Sequence, residues 1–308
     1  MKQIPQYKLD DQYRSIHREE GIGDAFGYNQ LPRELRIPDF ELYSSEGLVR
    51  TRMGPLRSEF YRVGLTVRGS CDVQLGLERY THRAGTVNCT HPNQLFSKSN
   101  ISAGSFGYYF NFNPSFLESL IPGNRIPEEF PFFDYAGTPF FQLEPATVGQ
   151  VEALIFRINE ELKANKPEKE MAIRLNLYLI LLEMKRSYQA QGLGTYTDIP
   201  ETSALLIRFK KLVGQYYLEK QHVADYAEML HVTPNHLNRT VKDVSGRTAS
   251  DHIAEMIAQE AKVLLRFTDL SVAEIAWRLQ FSEPSSFNRF FKKETQMTPL
   301  EYRTNANA

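Results

Sequence analysis

The feature that most restricts this chain is a near-repeat in its last hundred or so residues. Val223, Ala224, Ala227, Leu230, Val232 and Thr233 match Val272, Ala273, Ala276, Leu279, Phe281 and Ser282 at an offset of 49. The offset then becomes 50, pairing Leu237, Asn238, Arg239, Val241 and Lys242 with Phe287, Asn288, Arg289, Phe291 and Lys292. Each copy reads as a short helix, a turn and a second short helix. Ala227 and Ala276 stand where two steeply crossing helices must approach closely, the packing demand of a helix-turn-helix. Thr233 and Ser282 are the predicted N-caps of the second helices, each with a hydroxyl for an orphan amide. The exposed start of such a helix fits a DNA major groove. One such hairpin is ordinary in an all-α domain. Two copies with matched Asn-Arg pairs and basic tails, Lys242 in one and Lys292 with Lys293 in the other, point to DNA binding.

Between the copies, Thr248 to Leu265 has helical spacing (Ile253, Met256, Ile257, Val263, Leu264) and no breaker. Such a helix spans about 27 Å, and with flanking turns it suits two readers roughly 34 Å apart, one turn of DNA.

The first half carries a different period. Tyr61, Val63, Leu65 and Val67 alternate with Arg62, Gly64 and Thr66, and Cys71, Val73, Leu75 and Leu77 repeat the pattern after a turn at Gly69 and Ser70. Short runs at Thr86 to Cys89, Gln94 to Phe96 and Phe106 to Phe112 continue the rhythm of a small barrel or sandwich. From Phe106 to Phe141 twelve of 36 residues are aromatic, against 12% in the whole chain, enough to line a cavity or to fill a barrel. From about Glu144 the spacing becomes three and four (Val148, Val151, Leu154, Ile155, Ile158, Leu162), and after Lys166 and Pro167 a second helical stretch runs from Glu168 to about Gln189. That stretch is apolar around much of its circumference, so part of it meets either another subunit or its own domain's core. Gln191 to Thr202, with two Gly, one Pro and several Thr, reads as a linker. The fold class is therefore α+β: a strand-rich domain ending in a helical hairpin, then an all-α domain.

Length and composition agree with two ordinary globular domains: 308 residues, 42% hydrophobic, 24% charged. The formal charge of −1 gives no general reason to expect nucleic acid or a membrane surface, yet it divides unevenly. Residues 202 to 308 hold 14 Lys and Arg against 12 Asp and Glu, while residues 1 to 201 hold 22 against 25. A local +2 is modest for a DNA-binding domain, so base reading and two-site geometry must carry much of the affinity. No run of 18 apolar residues and no signal-like start occurs, which predicts a cytoplasmic protein without a membrane partner. Cys71 and Cys89 lack the spacing of a disulfide framework or a zinc site and read as small core residues.

The run from Ser271 to Arg303, SVAEIAWRLQFSEPSSFNRFFKKETQMTPLEYR, resembles the C-terminal signature of AraC/XylS-type transcriptional regulators: Phe287, Arg289, Phe291 and Lys292, then Pro299, Tyr302 and Arg303. The resemblance covers about Ser203 to Arg303. It departs at His231 and Gln280, turn positions where that family usually has Gly, and at Ile257, where the linking helix often has Arg. It implies that Asn235, Asn238 and Arg239 read bases from the first recognition helix, and Pro284, Ser285, Ser286 and Arg289 from the second. Arg suits guanine and Asn adenine, Ser is permissive, and Pro offers apolar contact alone. Lys242, Arg247, Lys292 and Lys293 are better placed as phosphate contacts. Trp277, Phe287, Phe290 and Phe291 are expected in the core, since a duplex offers no splayed base to stack on.

Many members of that family carry an N-terminal cupin-like barrel that binds an effector and a helical pair that dimerises, and the element order here is similar. The resemblance thus implies a cupin-like effector and dimerisation domain over 1–190 (barrel about 37–143, helices about 144–190), a linker over 191–202, and a DNA-binding domain with two helix-turn-helix motifs over 203–308. The implied protein is an activator-type DNA-binding regulator, homodimeric through helices 144–190, with RNA polymerase as a further candidate partner. For the effector pocket the candidates are Arg62, Arg68, His82 and His91 as polar anchors, with Tyr108 and Phe110 as walls. Arg62 and Arg68 lie on the strand face opposite Tyr61 and Val63, where solvent exposure is expected. A metal-dependent cupin enzyme needs clustered ligands such as a His-x-His pair, which is missing, so no metal, cofactor or catalysis is expected. The alternatives are a cupin-type enzyme fused to a helical module, and a ligand-free regulator controlled by a protein partner.

Overall fold

A computed structural model describes residues 6–9, 24–46, 53–75, 78–134, 137–164, 166–194 and 200–307. Leu77, Tyr135 and residues 195–199 of the expected linker lie outside them. The chain divides into two compact units, Gln6–Thr195 and Tyr196–Ala308, the latter grouped with Met1–Pro5.

Among the described residues the first unit has ten strands in two five-stranded sheets. One sheet has the order β1(Gln6–Tyr7), β3(Met53–Ser58), β8(Phe96–Ser99), β5(Cys71–Leu75), β6(Glu78–His82). The other runs β10(Phe140–Gln142), β7(Thr86–Thr90), β4(Tyr61–Arg68), β9(Phe106–Phe112), β2(Phe40–Ser44). The expected runs at 61–67, 86–89 and 106–112 form strands, and the run from Cys71 does so as far as Leu75, where the described residues stop. The one expected at Gln94 to Phe96 starts only at Phe96, because Gln94 closes a turn through its N–H to the His91 carbonyl.

After a short helix α1(Ile126–Glu129), the antiparallel pair α2(Pro145–Lys163) and α3(Lys169–Ala190) covers one face of the β4 sheet. Val63, Leu65, Val87, Phe110 and Phe112 meet Val151, Ile155, Ile158, Leu177, Ile180 and Leu181 in one continuous core. The opposite face of the β4 sheet looks across to the first sheet, whose Leu56, Val73, Leu75 and Phe96 form a smaller core with Phe60. The central strands are therefore buried on both sides, as β4 and β7 record residue by residue. This overturns the expectation that Arg62 faces solvent. It retains 3% exposure, because the face opposite Val63 is roofed by a second sheet.

On α3, Ile173, Leu177, Ile180, Leu181, Met184 and Tyr188 are buried, whereas Met171, Leu175 and Leu179 are roughly 40% exposed and recur every fourth residue. Burial in its own domain thus accounts for one side of its wide apolar surface and leaves the other exposed.

The described elements of the second unit are all helices: α4(Glu201–Tyr216), α5(Val223–Met229), α6(Pro234–Ser245), α7(Ala249–Phe267), α8(Val272–Arg278), α9(Pro284–Thr295) and α10(Pro299–Asn307). α4 takes in the last two residues of the expected linker, Glu201 and Thr202. Pro occupies the first position of α6, α9 and α10, where its missing N–H costs nothing. The buried residues repeat with the sequence: Ala227 with Ala276, Leu237 with Phe287 and Val241 with Phe291 are all fully buried. Ile257 belongs to the same core at 4% exposure, which is why a charged residue is absent there.

Candidate nucleic-acid interface and barrel cavity

The two helix-turn-helix motifs, α5–α6 and α8–α9, close their turns by the same backbone bonds. His231 N–H donates to the Glu228 carbonyl and Val232 N–H to that of Ala227; Gln280 and Phe281 do the same to Trp277 and Ala276, all at 2.9–3.0 Å. His231 and Gln280 have φ of 56° and 61°, so the positions usually taken by Gly keep their left-handed backbone with a side chain attached.

The change of offset from 49 to 50 also acquires a location. Thr233 caps α6 by accepting the His236 N–H at 3.2 Å, as expected. In the second copy the N-cap is Glu283, without a side-chain bond, and Ser282 lies one residue too early. The extra residue sits in the turn, so Ser282 is not the cap that a constant offset implied. The other starts are held reciprocally. Ser271 and Glu274 bond to each other's N–H groups at α8, and Thr298 and Glu301 do so at α10. At α7 Thr248 and Asp251 make the same exchange. Hydrogen bonds from these hydroxyl residues hold the Asp251, Glu274 and Glu301 carboxyls below their usual range.

The signature residues divide between scaffold and surface. Phe287 and Phe291 are core, and Tyr302 packs edge-on against Phe291 at 5.6 Å. Arg303 clasps the end of α7, its Nε donating to the Leu265 carbonyl at 3.0 Å and an Nη to that of Leu270 at 2.6 Å. Those carbonyls belong to a helix terminus and to the loop after it, so the cation answers acceptors left over by the backbone. Trp277 is 60% exposed and not in the core, whereas its neighbours Ile275 and Ala276 on α8 are buried.

Among the expected base readers, Asn235, Arg239, Ser285 and Arg289 are exposed on α6 and α9, while Pro284 and Ser286 are partly buried at the start of α9. Arg239 makes an exposed pair with Asp243 at 3.7 Å, of a kind worth under about 1 kcal/mol and easily released. Asn238 differs: its Oδ1 accepts the Ala249 N–H at 3.0 Å and ties the recognition helix to the start of α7. Of the expected phosphate contacts, Lys242, Lys292 and Lys293 are exposed. Arg247 is bound to the Glu255 carboxylate, which raises its pKa. His236, exposed on α6, corresponds to Ser286 at the offset of 50, a position the register identifies although its residue type gave no signal.

In the first unit a cavity of about 80 Å³ lies between the sheets. It is large enough for several waters. The inward side of β4, β7 and β9 supplies Arg62, Thr66, Asn88 and Tyr109; the facing sheet supplies Val73, Phe96 and Lys98, with Ile101 and His82. The Arg62 guanidinium rests on the Phe96 ring at 4.7 Å and donates from Nε to Asn111 Oδ1 at 3.1 Å. Burial lowers its pKa to about 10, so it remains a cation at neutral pH. His82 Nδ1 lies 3.2 Å from Thr66 Oγ1, and burial, reinforced by the Lys98 charge, lowers its pKa to about 3. Asn88 Nδ2 and His82 Nε2 are buried and find no hydrogen-bond partner among the described residues. Each such atom costs about 1–3 kcal/mol.

Of the six pocket candidates, Arg62, His82 and Tyr108 line this cavity. Phe110 does not, because its side chain points with Val63 toward α2 and α3. His91 is buried elsewhere, its Nδ1 at 2.8 Å from the Pro92 carbonyl. Arg68 is exposed, stacked on Phe106 and 3.6 Å from Glu46. Thr66, Asn88 and Lys98 were missed. Asn88 between Val87 and Cys89, like Asn111 between Phe110 and Phe112, was the visible sign: a polar residue inside an apolar strand. Among the described residues no cluster of three or more His, Cys, Asp or Glu could hold a metal, and no helix is long and apolar enough to cross a membrane.

Comparison with known proteins finds matches in each unit. Residues 39–181 match a family model described as an AraC-like ligand binding domain, and residues 226–305 match a helix-turn-helix domain. The HTH-type transcriptional activator RhaR of Enterobacter sp. (strain 638) is 30% identical over 181 residues, which are 56% of this chain and 60% of that protein. RhaR of Mannheimia succiniciproducens is 26% identical over 53% of this chain and 57% of its own length. The chain thus spans under two thirds of either relative. Among solved structures, ToxT from Vibrio cholerae aligns over 86% of this chain and 98% of its own with 15% identity and a TM-score of 0.43. With an AraC-like ligand binding domain matched over residues 39–181, a helix-turn-helix domain over 226–305 and RhaR-type activators aligned over about half of the chain, this chain belongs to the AraC family of transcriptional regulators.

Proposed function

We propose that the protein is a sequence-specific DNA-binding transcriptional regulator, of the activator type, that sets α6 and α9 into successive major grooves under the control of a small molecule in the barrel. The observation that carries this reading is the duplicated motif with its exposed faces: Asn235 and Arg239 on one recognition helix, Ser285 and Arg289 on the other. The linking helix α7 has 19 residues and is about 28 Å long, in keeping with two readers one DNA turn apart. His236 joins the readers as the counterpart of Ser286. Asn238 acts chiefly by holding α6 against α7. Lys242, Lys292 and Lys293 would contact phosphates; Arg247 could do so only by leaving Glu255.

Selection of bound sequences by the purified protein tests this reading. Arg239→Ala and Arg289→Ala should each weaken the selected site by about 1–3 kcal/mol with unchanged circular dichroism. Full-strength binding by the double variant refutes the assignment.

The exposed stripe of Met171, Leu175 and Leu179 on α3 supports a homodimer through helices 144–190. Sedimentation should give a dimer that Leu175→Glu with Leu179→Glu converts to monomer. RNA polymerase is the partner through which an activator would act. A cytoplasmic location follows from the same reading. No catalytic step is proposed, since the relatives are transcriptional activators and the cavity's polar groups serve recognition.

A further inference from the structure

The barrel cavity has polar groups on both walls, with an apolar patch of Val73, Phe96 and Ile101 on one of them, and the polar groups are unequal in kind. Two cations line it, Arg62 and Lys98, and among the described residues no carboxylate does. Asn88 lies over Gly64: a Cβ added there would stand 2.5 Å from Asn88 Oδ1, so the absence of a side chain at residue 64 is what lets the carboxamide lie across the strand. Its Nδ2 is buried and finds no acceptor among the described residues. Three acceptors nearby are already engaged. Asn111 Oδ1 takes the Arg62 Nε–H, Thr66 Oγ1 is shared with His82, and Ser45 Oγ takes the Gly107 N–H at 2.9 Å. An excess of donors suits an oxyanion, which only accepts, better than a hydroxyl, which must also donate. Opposite these donors lie Val73, Phe96 and Ile101, which offer nothing to a second charged end.

We infer that the cavity takes a small monocarboxylate, its anionic end held by Arg62 and the Asn88 amide and its apolar body against Val73, Phe96 and Ile101. This rests on the effector-binding reading above and names its chemistry. Lys98 strengthens the attraction from the facing sheet. The stacking of Arg62 on Phe96 fixes the guanidinium before the ligand arrives, so little freedom is lost on binding.

The test is calorimetry and thermal unfolding of the full chain with three carboxylates, isobutyrate, isovalerate and benzoate, beside their uncharged amides, inorganic phosphate, and the neutral sugars glucose and xylose. At least one carboxylate should bind saturably and its amide at least about tenfold more weakly, the worth of a charge-assisted hydrogen bond. Asn88→Asp places a negative charge at the held end and should abolish carboxylate binding, and Lys98→Met should weaken it. Should Asn88→Asp fail to fold, the carboxylate and amide comparison on the unaltered protein decides alone. Equal binding of acid and amide, no saturable carboxylate, or an Asn88→Asp protein that binds as before overturns the inference. Preference for phosphate overturns the apolar-body part and with it the assignment. If a sugar binds and no carboxylate does, the chemistry named here falls and the effector reading stands. If no probe binds and filling the cavity by Thr66→Leu, in a protein with unchanged near-ultraviolet dichroism, leaves DNA affinity untouched, both fall.

Discussion

His82 makes the barrel acid-sensitive by a calculable amount. It is 1% exposed, and burial, with Lys98 adding like charge, holds its pKa at about 3 against an ordinary 6.5. The folded form thus binds fewer protons than the unfolded form between those values, and stability falls as pH drops from about 6.5 toward 3. At pH 5.5 the unfolded imidazole is about nine-tenths protonated and the folded one is not, which costs about 1.4 kcal/mol relative to pH 7.5. His82→Gln removes this proton while keeping a polar group near Thr66. The measurement is urea unfolding of both proteins at pH 7.5 and 5.5, followed by near-ultraviolet dichroism, which the many aromatic residues of the first unit dominate. Fluorescence of Trp277, the single tryptophan, follows the second unit separately. Groups common to both proteins cancel in the comparison, so the natural protein should lose about 1.4 kcal/mol more than the variant over this interval, in the barrel transition alone. Equal losses would show that His82 keeps an ordinary pKa, and the account of its buried, Lys98-facing ring would be wrong.

The turns make a second case, since His231 and Gln280 hold positive φ with side chains attached. His231→Gly or Gln280→Gly should raise the second unit's stability by about 0.5–1 kcal/mol, read as a higher urea midpoint. Ala276→Leu should overpack the crossing of α8 and α9 and cost about 1–3 kcal/mol in the same measurement. Asn238→Ala should remove the bond to Ala249 N–H and cost about 1 kcal/mol of stability. In that variant the loss should appear in denaturation before it appears in base preference. The carboxyls of Asp251, Glu274 and Glu301, held low by their capping partners, should stabilise the second unit above the usual carboxylate range and cease to do so as pH falls through it. Asp251→Asn should flatten that dependence in Trp277 fluorescence.

What the sequence determined by itself was whatever is written in near neighbours along the chain. The near-repeat from Val223 to Lys292 carried two helix pairs, their buried alanines and the exposed Arg239 and Arg289, because helix periodicity and capping act over a few residues. The alternation from Tyr61 to Val67 set which β4 side chains share a face, but not what covers each face. Only the tertiary structure decided that both are covered, and so turned Arg62 from an expected surface residue into a buried cation beside Phe96. It placed Phe110 against the helices and left Trp277 in solvent, since those fates depend on which element arrives over a residue from far away in sequence. It put the extra residue of the second copy in the turn, where Glu283 and not Ser282 begins the helix. The physical reason is common to all of these: local bonding is encoded by adjacent residues, whereas burial is a property of the surfaces that long-range folding brings together.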